Sequence, residues 1–189
     1  EDIARVDGID GVFIGPGDER MSSIGDVHKI LSGRYPAITD GTVAFVDVRD
    51  AALGPMRELH KLTHQPVNLS VRQGDEIVYI ERTYSERSGM QVVRAVGGRA
   101  PLHLTSVGKL FLAHDDPQRV RSYATRTGLT GHTRNSLTDL PSLERELARV
   151  RREALARDDE ELELGVRCMA AGIYDDQGKL VAGLSVSAP

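Results

Sequence analysis

Two pairs of short apolar runs, each pair broken by a tight polar turn, constrain the fold of this chain more than any other feature. Val67, Leu69 and Val71 alternate with polar residues as a half-buried strand does, Gln73-Gly74-Asp75 turns, and Ile77 to Ile80 returns. Near the far end, Val166 to Tyr174 and Lys179 to Ser187 flank Asp175-Asp176-Gln177-Gly178, where Gly178 suits a positive φ. Turns this short allow only antiparallel neighbours, because a parallel pair needs a crossover of about a dozen residues or more.

Between the hairpins the pattern becomes helical. Ahead of the first strand, Leu53, Met56, Leu59 and Leu62 recur every three residues from Val48 to His64 and predict a helix face, with Gln65-Pro66 as its stop. Met90 to Val96 reads as a third strand ending at Gly97-Gly98. Helices are expected from Ser106 to about His114 and from Pro117 to about Arg126. Asp139 and Pro141 suit the start of another, with Leu143, Leu147, Val150 and Ala154 as its buried stripe. The acidic run Asp158 to Glu161 then leads into the last hairpin. The expected class is α+β: helices packed on an antiparallel sheet.

Composition narrows the function. Hydrophobic residues make up 40% and charged residues 28%, which supports a folded globular chain. With 24 Lys+Arg against 28 Asp+Glu, the net charge of -4 supplies no basic face for DNA. Aromatics are 4% and Trp is absent, so platforms for stacking bases are not expected. No apolar run approaches the roughly 20 residues that span a bilayer, and no signal-peptide pattern opens the sequence. The single Cys168 has no partner for an internal disulfide and fits a reducing, cytoplasmic setting. Neither a metal site among the six histidines nor a cofactor is expected.

The stretch Ala100 to Ala113, APLHLTSVGKLFLA, carries the chemistry. A proline-marked extended segment runs into Thr105-Ser106-Val107-Gly108, where an apolar helix begins. A helix N-terminus offers unpaired N–H groups and partial positive charge to a small anion. Ser185 and Ser187 stand two apart on a strand, so their hydroxyls share one side while Leu184 and Val186 take the other. Two hydroxyls and a helix start make a donor set for a carboxylate without Lys or Arg. Plainer readings stand beside this one. The serines also suit the wetter face of a sheet, Cys168 a small buried hydrophobe, and Asp158 the start of a solvated acidic run.

From about Asp47 to Pro189, MRELHKLTHQPVNLSVRQGDEIVYIER, VGGRAPLHLTSVGKLFLA and DDEELELGVRCMAAGIYDDQGKLVAGLSVSAP follow one another in the order of a known family. The chain resembles the effector-binding domain of the IclR family of bacterial transcriptional regulators. The resemblance implies a GAF-like curved antiparallel sheet flanked by helices, a pocket for a small effector, assembly as a homodimer or homotetramer, and DNA binding only through a winged helix-turn-helix upstream. By position it also implies a pocket lined by Met90, Val92, Ser106, Val107, Asp158, Cys168, Ser185 and Ser187. Met90 and Val92 would grip a hydrocarbon portion, and the effector is expected to be a small organic acid, aromatic acids included. Where some relatives carry Gly-Ala at the helix start, this chain has Ser106-Val107, so their ligands do not transfer.

Residues 1–45 do not fit that pattern and are expected to be an irregular N-terminal extension to an effector-binding domain at 46–189. Glycine-rich GIDG, IGPG and ITDG punctuate them. Ser22 to Leu31, SSIGDVHKIL, faintly resembles a recognition helix, but the span from Leu31 to Val48 is too short for a wing and a linker helix. Glu1 to Asp18, EDIARVDGIDGVFIGPGD, resembles a segment of HpcH/HpaI-type metal-dependent aldolases, in which an acidic residue at the place of Asp18 helps hold metal. Glu19-Arg20 departs from that family, and one strand-and-loop fragment cannot make a barrel of about 250 residues. The sequence therefore predicts a ligand sensor and not an enzyme, with a ligand-free oligomerisation or partner-binding module as the alternative and a metal-dependent aldolase fragment as the remote one. The family usually continues beyond Pro189 into a final helix.

Overall fold

The computed structural model of the chain describes residues 48–83, 96–175 and 177–189. The elements run α1 (Val48–Thr63), β1 (Val67–Gln73), β2 (Glu76–Arg82), β3 (Arg99–Pro101), a 3-10 turn (Leu102–Leu104), α2 (Ser106–His114), α3 (Pro117–Thr127), α4 (Leu140–Glu153), β4 (Leu155–Asp159), β5 (Arg167–Tyr174) and β6 (Leu180–Ala188). The six strands form one sheet in the order β3-β2-β1-β6-β5-β4, and every neighbouring pair is antiparallel. The two hairpins read in the sequence meet at its centre, where β1 pairs with β6 from Val67↔Val186 to Ser70↔Gly183.

Side-chain alternation gives the sheet two unlike faces. Val67, Leu69, Ala182 and Leu184 point to one face, which α1 closes with Val48, Ala52, Met56 and Leu59. The opposite face carries Asn68, Ser70, Gly183, Ser185 and Ser187 along β1 and β6 and lies under α2. A larger apolar cluster holds the other helices together: Leu110 and Leu112 of α2, Tyr123 of α3, and Leu143, Leu147 and Val150 of α4. Local chemistry sets the helix starts. Thr105, Asp116 and Asp139 cap α2, α3 and α4, each side chain accepting a backbone N–H three residues on.

The structure departs from the sequence expectation in three places, and a fourth expectation lies mostly outside the described residues. The buried face of α1 is Val48, Ala52, Met56 and Leu59, while Leu62 is 58% exposed. A strict three-residue spacing slips backwards around a helix of 3.6 residues per turn, so its two ends reach opposite sides. Ala154 leaves the α4 stripe as the left-handed cap (φ 55), exposed to solvent. The acidic run is not a simple link: Leu155–Asp159 is strand β4, which pairs with β5 and buries Ala156 and Asp158 on alternate positions. On the side of β2 away from β1 the described partner is the short β3; of the expected Met90–Val96 strand only Val96 is described, in an exposed turn, and the rest lies outside the described residues. The expectations for residues 1–45, Asp18 included, lie outside the described residues.

Candidate functional site

Polar side chains inside a fold cost free energy unless something satisfies them, so the polar face beneath α2 is where function is sought. Thr105 stands in extended conformation before α2. Its hydroxyl donates to the Pro101 carbonyl (3.2 Å) and accepts the Gly108 N–H (3.1 Å). The N–H groups of Ser106 and Val107, at the first two helical positions, meet no acceptor among the described residues. Both residues line a cleft together with Ile77, Tyr79, Thr105, Asp158, Cys168 and Ser185.

Five of the residues expected from the sequence thus surround one cleft: Ser106 and Val107 on α2, Asp158 on β4, Cys168 on β5 and Ser185 on β6. The β4–β5 register sets Asp158 directly opposite Cys168, and the β5–β6 register sets Cys168 opposite Ser187. Ser187 is buried beside the lining; its hydroxyl accepts from Asn68 Nδ2 (3.2 Å) and lies 3.2 Å from Cys168 Sγ. Met90 and Val92 lie outside the described residues. Ile77, Tyr79 and Thr105 line the cleft without having been singled out in the sequence. The alternation that placed Ile77 on a strand also puts Tyr79 on the same side, so that signal was there to read.

Asp158 is buried, not solvated, and its Oδ1 accepts the backbone N–H of Glu161 (2.8 Å). Just behind it lies a buried ion pair. Lys109, 1% exposed and one turn into α2, donates to Glu161 Oε1 (2.5 Å) and to the Arg157 carbonyl (2.6 Å). Glu146 Oε1 of α4 stands 3.7 Å from the same ammonium. Burial pushes the Glu161 carboxyl above the usual carboxylate range, outweighing the Lys109 ammonium that pulls it down. At the other end of the helix start, His103 is buried between Tyr123 and Thr130. Its Nδ1 is 2.7 Å from the Tyr123 hydroxyl and its Nε2 3.1 Å from the Thr130 carbonyl, which assigns the hydrogen to Nε2.

The enclosed part of the cleft is narrow, with room for about one water-sized group. Even counting its open mouth, the empty volume is about 200 Å³. That lies below the roughly 300–1,000 Å³ of pockets that take drug-sized ligands. Chemically the walls offer donors at the helix start and at Ser185, one carboxylate at Asp158, and apolar surface at Ile77, Tyr79 and Val107. Metal chemistry has no such foundation: among the described residues no three His, Cys, Asp or Glu side chains gather to hold an ion. His60 and His64 stand four apart, but His60 Nδ1 bonds the Gln65 carbonyl (2.7 Å) and His64 leaves the helix at φ 55.

A curled antiparallel sheet flanked by helices, with a polar cleft under a helix start, defines an α+β class of domain, and the comparisons with known proteins say which. Residues 41–189 match the family described as bacterial transcriptional regulator IclR C-terminal. The HTH-type transcriptional repressor AllR of Escherichia coli (strain K12) is 35% identical over 149 residues, covering 77% of this chain and 55% of the repressor. The crystal structure of the Thermotoga maritima IclR superposes with a TM-score of 0.71 at 33% identity, over 76% of this chain and 57% of that one. The inducer-binding domain of a double mutant of PobR from Acinetobacter, in complex with 3-hydroxybenzoic acid, gives 0.70 at 25% identity, over 76% and 83%. The chain belongs to the IclR family and contains its C-terminal effector-binding domain. These relatives are transcriptional regulators and not enzymes. The chain spans about half the length of the curated repressors it matches (55%).

Proposed function

We propose that residues 46–189 sense a small organic acid in the cleft under α2 for a cytoplasmic transcriptional regulator, with residues 1–45 as an extension to that domain. The observation that carries this reading is that the first two residues of α2, Ser106 and Val107, whose helix-start N–H groups have no intrahelical acceptor, line one cleft with Ser185. A carboxylate placed there would meet a helix start and side-chain donors with no Lys or Arg in the lining. Asp158 on the opposite wall would take a hydrogen from the ligand, so a hydroxy or hydrated keto acid fits better than a plain fatty acid. The PobR domain's complex with 3-hydroxybenzoic acid supports an acid as the ligand class.

Signalling then requires two arrangements of a homodimer or homotetramer to which the acid binds with different affinity. A winged helix-turn-helix elsewhere in the regulator would carry the DNA contact. No helix among the described residues is long and apolar enough to cross a membrane.

A second reading has its own observation. The Val107 side chain lies directly on the Gly183 backbone at the cleft, the close packing expected of a ligand-free oligomerisation module. A thermal-melt screen against short keto and hydroxy acids and hydroxybenzoates, with and without chelator, separates the two. A ligand bound only by the folded state adds about 2.7 kcal/mol at a hundredfold excess over its Kd. A chelator-insensitive rise in Tm for one acid, reduced at least tenfold in affinity by Ser185→Ala with Ser187→Ala, is the expected result. Silence across all acids favours the ligand-free module, and unchanged affinity in the double variant removes those hydroxyls from the site.

A further inference from the structure

Gly183 sits in the centre of the polar face, on β6 between Ser70 of β1 and Gly172 of β5. A Cβ built there would stand 2.6 Å from Val107 Cγ1 and 3.0 Å from Cγ2, so the valine rests directly on bare backbone. The register puts this contact between two unlike parts of the cleft. Ser185, Cys168 and Asp158 lie toward the C-terminal end of β6, and Tyr79 and Ile77 lie across β1 on β2.

The start of α2 cannot withdraw to widen the passage. On its other flank Gly108 is wedged against the 3-10 turn, where a Cβ would meet Leu102 O at 2.2 Å and Leu102 Cα at 2.4 Å. Thr105 ties the first turn to Pro101, and Lys109 ties the next to the Arg157 carbonyl and Glu161. With backbone close above and below, Val107 is, among the described residues, the side chain that lies on bare backbone between the polar end and the apolar end.

Resting on the acid-sensor reading, we infer that Val107 is the specificity-determining residue of the cleft. It confines the effector to short acids held at the Ser106–Ser185–Asp158 end, and it bars a carboxylate whose ring would have to reach Ile77 and Tyr79. Removing its two γ-carbons joins the two ends into a longer cavity that accepts an aromatic acid.

The test is calorimetric titration of the chain and of Val107→Ala and Val107→Leu with two probes, pyruvate and 3-hydroxybenzoate. The unaltered chain should bind pyruvate at least tenfold more tightly than 3-hydroxybenzoate. Val107→Ala should gain at least tenfold for 3-hydroxybenzoate while pyruvate changes by less than about threefold, and Val107→Leu should lose pyruvate at least tenfold. Pyruvate binding with no gain for the ring acid in Val107→Ala overturns the gate and leaves the acid sensor standing. Equal binding of both probes by the unaltered chain also overturns the gate alone. Failure of every chain to bind either probe overturns both readings. Should Val107→Ala not fold, the Val107→Leu loss decides, since no loss of pyruvate there overturns the gate.

Discussion

The two faces of the central sheet are built from the same strands and solve different problems. Under α1 the contacts are those of an apolar cluster: Val67, Leu69, Met56, Ala182 and Leu184 are fully or nearly fully buried in it. Under α2 the same β1 and β6 bury Asn68, Ser70, Ser185 and Ser187, and the helix adds Thr105, Ser106 and Lys109. Area alone stabilises the first face. The second keeps groups that water would solvate better, some without an internal partner, such as Ser70 Oγ among the described residues. The difference teaches where to look: a fold that tolerates this cost on one face only has a use for that face.

The sharpest way to break the polar face is Lys109→Met. Removing the ammonium strands the buried Glu161 carboxylate, and the expected loss is about 3–5 kcal/mol by urea unfolding at neutral pH. Because burial already favours the protonated form of Glu161, the loss should shrink at mildly acidic pH. A loss independent of pH would mean that packing, not charge, sets the effect.

On the apolar face, Met56→Ala should cost about 3 kcal/mol by cavity formation. It should leave the affinity of the folded protein for a short acid unchanged. A variant that loses affinity as well would show that the two faces are coupled through the sheet.

The smallest effect distinguishes the faces by pH. Burial holds the His103 imidazole below its usual range, against the Thr130 carbonyl that favours the charged form. The folded chain therefore binds fewer protons than the unfolded one. Its contribution to stability is present above the unfolded value of about 6.5 and is lost as pH falls through the folded value. Melting curves from about pH 7 to about pH 5.5 should fall more steeply for the unaltered chain than for His103→Gln, while Met56→Ala should keep the original slope. Parallel curves for His103→Gln and the unaltered chain would assign the acid sensitivity elsewhere.

Both hairpins were legible because a two-residue alternation and a polar turn leave little choice of partner. α2 was legible because Thr105 caps an apolar run. Strand β4 was not. Asp158 reads as surface in any sequence, and its burial goes with the Glu161 N–H folding back onto its carboxylate, a contact no periodicity signals. β3 is three residues long, too short for any periodicity to register. The cleft was half legible: the hydroxyls of Ser106 and Ser185 suggested chemistry and the family resemblance added Cys168, but their convergence depends on the order β1-β6-β5-β4. Glycine at 183 carried no message until Val107 was found lying on it.

The seam between β1 and β6 joins residues as far apart as Asn68 and Ser187, 119 positions along the chain. A ribosome must therefore deliver almost the whole domain before its central pairing can form, and such distant closures are slow to fold. The cleft draws its lining from both sides of that seam, Ser185 on β6 and Ile77 and Tyr79 beyond β1 on β2. An effector gripping Ser185 would act as a clasp across the last join to close, and would hold the early-made and late-made halves of the sheet together as one body.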